Sequence, residues 1–188
     1  MGSWMSHEDR KRRQTLENEL SKIQRSLQVT AASHYITSDY YGKLNVKFQY
    51  SSYVTGVLGS TGSVLSKVAW KTLAGKYPRL APIFAAISAT MSLFTVLANI
   101  PHVPTLPSTL HQLHFRSGVE CQYLENKVRL FAKTDVWNPS VPWNILVSRY
   151  ENLLKEKKEV NSRIQSEVWA YRAALAQEEN ERKKMTER

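Results

Sequence analysis

Leu80–Ile100 reads LAPIFAAISATMSLFTVLANI, and this stretch decides the fold. Its 21 residues include no charged side chain. As an α-helix it would be about 31 Å long, which matches the hydrocarbon core of a bilayer. An uncharged, mostly apolar stretch of this length favours a membrane span over the alternative, a buried core helix of a soluble protein.

Small and polar side chains recur in this stretch at alternating intervals of four and three residues, which places them on one stripe of a helix. Small residues let membrane helices approach closely, and hydroxyl or amide groups hydrogen-bond across the contact. The stripe is therefore either a packing seam or the wall of a water-filled passage. The candidates for either role are Ser88, Ser92, Thr95 and Asn99.

A second uncharged segment, residues 48–66, is only modestly hydrophobic and is bounded by Lys47 and Lys67. It carries a similar stripe, whose candidate packing or pore-lining residues are Ser52, Gly56, Gly59 and Ser63. Two spans joined by a short basic turn form an antiparallel hairpin, so both termini are expected on the same side of the membrane. Large charged terminal regions and a lone cysteine favour cytosolic termini.

The net charge of +10 is unevenly distributed, because residues 40–119 contain no Asp or Glu but seven Lys or Arg. A basic, acid-free membrane region suits contact with anionic lipid headgroups. Nucleic-acid binding is disfavoured because no recognisable nucleic-acid motif accompanies the charge. Cys121 is the single cysteine, which excludes an intrachain disulfide and fits a reducing compartment.

The sequence predicts an all-α, two-transmembrane hairpin with an N-terminal amphipathic helix and a long C-terminal helical, coiled-coil region. The predicted segments are a basic segment (1–14), an amphipathic helix (15–47), transmembrane helix 1 (48–66), a basic turn (67–79), transmembrane helix 2 (80–100), a Pro-rich exit (101–109), a helix (110–133), a linker (134–142), a long charged helix (143–181) and a tail (182–188).

Apolar residues recur at near-heptad spacing in both flanking regions. In the amphipathic helix they are spaced four, three and four, which indicates packing on a neighbouring helix: Leu16, Leu20, Ile23 and Leu27. In the last helix the rhythm extends over four heptads, which favours a coiled coil and homo-oligomer formation. The predicted oligomerisation residues are Leu146, Tyr150, Leu153, Val160, Ile164 and Val168.

Few residues suggest chemistry. Gly2 with Ser6 matches the N-myristoylation pattern, although an expression scar or chance would give the same residues. His111, His114 and Cys121 could begin a metal site, but their spacing fits no standard zinc motif and a polar helix face is the favoured interpretation. We therefore expect no enzyme activity, no metal site and no cofactor.

The layout resembles the SLATT superfamily, the two-transmembrane effector domains associated with nucleotide-synthesising and nucleotide-sensing conflict systems. The resemblance covers roughly residues 15–175. Its motifs are SDYYGK at 38–43, VLGSTGS at 57–63, HFRSGVECQYL at 114–124 and RYENL at 149–153. It implies an oligomeric helical membrane protein with a pore-forming or membrane-perturbing effector role in immunity or cell death, and it supplies no catalytic residues.

Two functions follow as expectations. The first is an oligomeric, pore-forming membrane effector, in which one stripe packs and the other lines water. The second is a non-conducting, membrane-anchored scaffold, in which both stripes are seams. The expected partners are the lipid bilayer, anionic lipids, further copies of the chain and an upstream sensor protein, because no nucleotide-sensing domain is evident in the sequence.

Overall fold

The computed structural model describes residues 5–76 and 106–187, together with the isolated helical residues 83, 86, 87, 89, 90 and 93; for residues 58–76 it describes the backbone alone. All regular secondary structure in these ranges is helical, which confirms the predicted all-α class. The continuous helices are α1 (His7–Lys76), α2 (Pro107–Thr134), α3 (Trp143–Arg163) and α4 (Val168–Thr186).

Among the described residues, none of the helices combines the length and the apolar character that a membrane crossing needs. The predicted first span, 48–66, falls inside α1. The predicted second span, 80–100, lies almost wholly outside the described residues, and Gly2 lies outside them as well.

The chain divides into two compact units. Residues 1–39 and 111–188 form one, called the terminal unit below, and residues 40–110 form the other, called the central unit. The terminal unit therefore contains the first part of α1, nearly all of α2, and the whole of α3 and α4.

The core of the terminal unit is built by α1, α2 and α3. The α1 seam at Leu16, Leu20, Ile23 and Leu27 is buried as its spacing predicts. It packs in one cluster with residues of α2, of the following loop and of α3: Leu124, Val128, Phe131, Val136, Leu146 and Leu153. At about 1.5–3 kcal/mol per buried side chain, this cluster is the main stabilising feature of the unit.

Arg13 ties α1 to the loop between α2 and α3. Its guanidinium donates to the backbone oxygens of Val136 (2.7 Å), Asn138 (3.0 Å) and Val141 (2.8 Å). Its Nε donates to the Asp9 carboxylate at 3.0 Å. The loop carbonyls, which no helix satisfies, thus find a charged donor that is itself only 3% exposed.

Several predicted boundaries are wrong. The segments predicted at 15–47, 48–66 and the start of 67–79 form one helix, α1, which also includes most of the basic segment 1–14. No proline precedes Pro78 to interrupt it. Helix α2 begins at Pro107, three residues before the predicted start, because proline is well accommodated in the first turn of a helix.

The predicted long helix 143–181 is also wrong, because the chain breaks between α3 and α4. Ile164 is extended, with φ −151° and ψ 136°, and α4 restarts at Val168 and continues to Thr186, into the predicted tail 182–188. The break lets α4 bury Ala170 and Ala174, and Arg25 of α1 forms an ion pair with Glu178 of α4.

The predicted oligomerisation seam is consequently divided. Leu146 and Leu153 are buried in the core of the chain itself, and Tyr150 and Val160 pack partly buried against that core. Ile164 lies in the break, and Val168 is 67% exposed at the start of α4. These positions do not lie on one continuous helix, and oligomerisation through them stays a prediction.

Candidate functional sites: a buried histidine layer and an exposed face of α1

The apolar seam between α1 and α2 becomes polar at one end of the terminal unit. Continuing the rhythm of Leu27 by four, three and four residues leads to Ala31, His34 and Ser38. All three are buried, and His34 and Ser38 face histidines of α2. Sequence reasoning singled out the α2 histidines but missed His34, although its seam position was a usable signal.

His34 and His114 form the inner contact of this histidine layer. Their Nδ1 atoms are 3.1 Å apart, their ring centroids are 5.3 Å apart, and their exposures are 1% and 3%. A neutral imidazole has one N–H and one lone pair, so one Nδ1 donates and the other accepts. The contact therefore requires that at least one of the two Nδ1 atoms carries no proton.

Ser38 and His111 form the outer contact, one turn after His34 in α1 and one turn before His114 in α2. His111 Nδ1 lies 2.9 Å from the Ser38 backbone oxygen, which can only accept, so this geometry places the proton on Nδ1. The Ser38 hydroxyl, 2.9 Å from the same nitrogen, is then free to donate to the His111 backbone oxygen at 3.1 Å. The contact thus closes α1 on α2 through side chains and backbone together.

Burial sets the protonation states around the layer. Burial, together with the smaller effect of the neighbouring His114, lowers the pKa of His34 to about 4. Burial also lowers the pKa of His114, against the opposing field of Glu167. The pKa of the Cys121 thiol is raised to about 11 by burial and by Glu120. At neutral pH the two histidines are therefore uncharged, and Cys121 is a thiol and a poor nucleophile.

The candidate metal residues are not brought together. His114 engages His34, whereas His111 engages Ser38, so the two histidines turn to different partners. Among the described residues, no three His, Cys, Asp or Glu side chains are placed to hold a metal ion. The hydrogen bonds of the layer run between its own residues, and they join α1 to α2.

Next to the layer the two helices approach closely. A Cβ added at Gly118 of α2 would lie 2.9 Å from the Tyr35 ring of α1, so only glycine leaves room for that ring. The Tyr35 hydroxyl donates to the side-chain oxygen of Gln122 at 2.9 Å, and its ring meets Phe115 edge-on. This packing brings α1 and α2 close together beside the histidine layer.

The second feature is an exposed face of α1 in the central unit. Lys43 and Lys47 lie at its start, Tyr50 and Tyr53 follow at 71% and 73% exposure, and Val57 continues the same stripe. Val46 and Val54 are exposed on the same side. The face therefore carries two lysines at its start, with Val46 between them, then two tyrosines, and valines at 54 and 57 at its end.

The predicted small-residue stripe of the first span lies on the other side of α1. Ser52 is 5% exposed and Gly56 is partly buried. The other residues singled out in the two spans are outside the described side chains: Gly59, Ser63, Ser88, Ser92, Thr95 and Asn99. Where it is described, the stripe is thus a covered surface and the aromatic face is open.

Comparisons with known proteins found no matching family model, no matching curated protein and no matching solved structure. The SLATT resemblance therefore remains a likeness of layout.

Proposed function

We propose that the chain is an oligomeric, two-span membrane effector of an immunity or cell-death type response, anchored through its central unit. The observation that carries this proposal is the exposed α1 face that begins with Lys43 and ends with Val57. A water-exposed helix face would gain nothing from two tyrosines and three valines held more than a third exposed.

The order of side chains on that face fits the layers of a bilayer surface. Lys43 and Lys47 suit the phosphates of anionic headgroups. Tyr50 is about 10 Å beyond Lys43 along the helix, at the depth where tyrosine is enriched in membrane proteins. Val54 and Val57 follow, where hydrocarbon begins. Tyr50 and the valines at 54 and 57 lie within the segment, 48–66, that the sequence predicts as the first span.

The covered side of α1 bears on whether the protein conducts. Burial of Ser52 beside the open Tyr50 and Tyr53 favours helix packing over pore lining for the first stripe. Conduction, as part of this proposal, is assigned to the second-span stripe that ends in Thr95 and Asn99. A non-conducting scaffold is the second candidate, and the packed position of Ser52 is the observation that favours it.

Dye-loaded liposomes containing the purified chain separate these functions. Replacing Thr95 and Asn99 with leucine should reduce leakage at least about 10-fold while the oligomer mass in detergent stays unchanged, because leucine removes the polar wall without blocking a seam. Ser52→Leu should instead dissociate the oligomer or the hairpin. Tyr53→Leu, on the open face of the same helix, is the matched control and should change neither.

If the liposomes leak no dye at any pH while the oligomer is intact, the result would favour the scaffold over the effector. Leakage that is unchanged by the leucine pair at 95 and 99 would contradict the assignment of the water-filled passage to the second stripe. A chain that remains monomeric in detergent and in liposomes would contradict both functions.

A further inference from the structure

We propose that the two histidine-layer contacts, His34–His114 and Ser38–His111, form an acid-operated clamp that holds α1 and α2 together and releases them when both His34 and His114 are protonated. The clamp occupies a distinctive place in the chain. His34 and Ser38 lie within two helical turns before residue 40, where the central unit begins, and His111 and His114 lie within about one turn after residue 110, where it ends. As regulation of membrane activity, the clamp rests on the function proposed above.

Proton counting explains why the inner contact is a switch. In the neutral pair one Nδ1–H donates to the other Nδ1 at 3.1 Å. A first proton can add to the outer nitrogen of the donating ring, and the contact then survives as a charge-assisted bond. A second proton must occupy the accepting Nδ1, which leaves two N–H groups facing each other and two positive rings in a buried site. The contact then breaks.

The surrounding charges do not cancel this effect. Glu167, from the segment between α3 and α4, raises the pKa of His114 and stabilises the first proton. Glu120 of α2 is held by an ion pair to Arg163 of α3. Tyr35 of α1 and Cys121 of α2 are uncharged at neutral and acidic pH, since burial raises the pKa of both. Two positive rings would therefore face a single acidic group.

The direction of the pH dependence follows from the lowered pKa values. The closed clamp binds fewer protons than the open one, whose histidines have the ordinary pKa of about 6.5. The closed state is therefore most stable relative to the open state above about pH 6.5, and this stability decreases as pH falls towards about 4. Each histidine contributes up to about a 10-fold change in the opening equilibrium per pH unit in this window.

Cys121 supplies a built-in reporter of opening. It is fully buried on α2, two turns after His114, and it is the single cysteine of the chain. Dithiodipyridine, a reagent that reacts with thiols in acid, should label it slowly while the clamp is closed. The labelling rate is divided at each pH by the rate for the urea-unfolded chain, which removes the intrinsic pH dependence of the thiol.

In the full chain in detergent, we expect this normalised rate to rise at least about 30-fold between about pH 7.5 and about pH 5. In a variant carrying His34→Gln and His114→Gln the rise should disappear, since the amides carry no titrating proton. His114→Gln alone, which leaves one titrating ring in the inner contact, should roughly halve the slope against pH and serves if the double variant folds poorly. His7→Gln, an exposed histidine at the start of the same helix, is the matched control and should behave as the unmodified chain.

A rate that stays flat down to about pH 5, or that rises equally in the double variant, overturns the clamp. The same proteins in dye-loaded liposomes separate this failure from that of the membrane function. A histidine-dependent rise in the Cys121 labelling rate without dye leakage supports the clamp and contradicts the pore. Dye leakage that increases in acid equally in the unmodified chain and in the double variant supports the pore and contradicts the clamp.

Discussion

Replacing Arg13 with methionine is expected to lower the free energy of unfolding of the terminal unit by about 3–5 kcal/mol. Its guanidinium is the donor for three loop carbonyls, at Val136, Asn138 and Val141. Methionine keeps much of the side-chain volume but donates no hydrogen bond. Losing this donor leaves the Val136 and Val141 carbonyls without it in a largely buried setting, which costs far more than losing a surface ion pair.

Arg12→Met is the matched control, because Arg12 is the adjacent residue, is about half exposed and pairs only across the helix surface with Glu8. Its loss should cost no more than about 1 kcal/mol. Urea unfolding of both variants in mild detergent, followed by the tryptophan fluorescence of the chain, to which Trp137 of the loop contributes, measures the difference. Equal losses of stability in the two variants would contradict the role given to Arg13 in holding the loop.

Leu146→Ala is expected to cost about 2–5 kcal/mol of folding free energy without changing the oligomer mass. Leu146 is fully buried where α3 packs on the core shared with α1 and α2. Truncation removes apolar contacts and leaves a cavity that surrounding helices fill only in part. The heptad pattern alone predicts the opposite, namely dissociation of an oligomer with an intact fold.

The neighbouring exposed residue provides the control for this prediction. Ile145, 41% exposed, loses a side chain of similar size in Ile145→Ala and should lose much less stability. Thermal unfolding and the mass in detergent are measured on each variant. An oligomer that dissociates in Leu146→Ala while the unfolding transition is unchanged would restore the coiled-coil seam.

Local spacing predicted part of this fold well. Leu20 and Leu27 are buried because a four-three rhythm defines one face of a helix whatever its partner. The same rule failed at Ile164, where the rhythm continues through a break that is set by the packing of α4 at Ala170 and Ala174. Apolar periodicity predicts which residues share one face of a helix, but it does not predict where the chain turns so that they become buried.

The candidate site was harder to predict than the helices. His114 stood out on α2, but its partner His34 is 80 residues away, and only the folded structure brings the two rings together. The stripe containing Ser52 was evident from the sequence, whereas only the structure shows that Ser52 itself is buried. Pairings over long separations are a property of tertiary packing and leave no local pattern.

Extraction of the full chain from membranes tests the central claim, anchoring through residues 40–110, most directly. Membranes from cells that express the chain are washed with high salt and alkaline carbonate and then treated with detergent. A chain that spans the bilayer should stay in the pellet through both washes and enter the supernatant only with detergent, because the washes remove proteins held by charge alone. Release by salt or carbonate would contradict membrane anchoring and, with it, the proposed effector function.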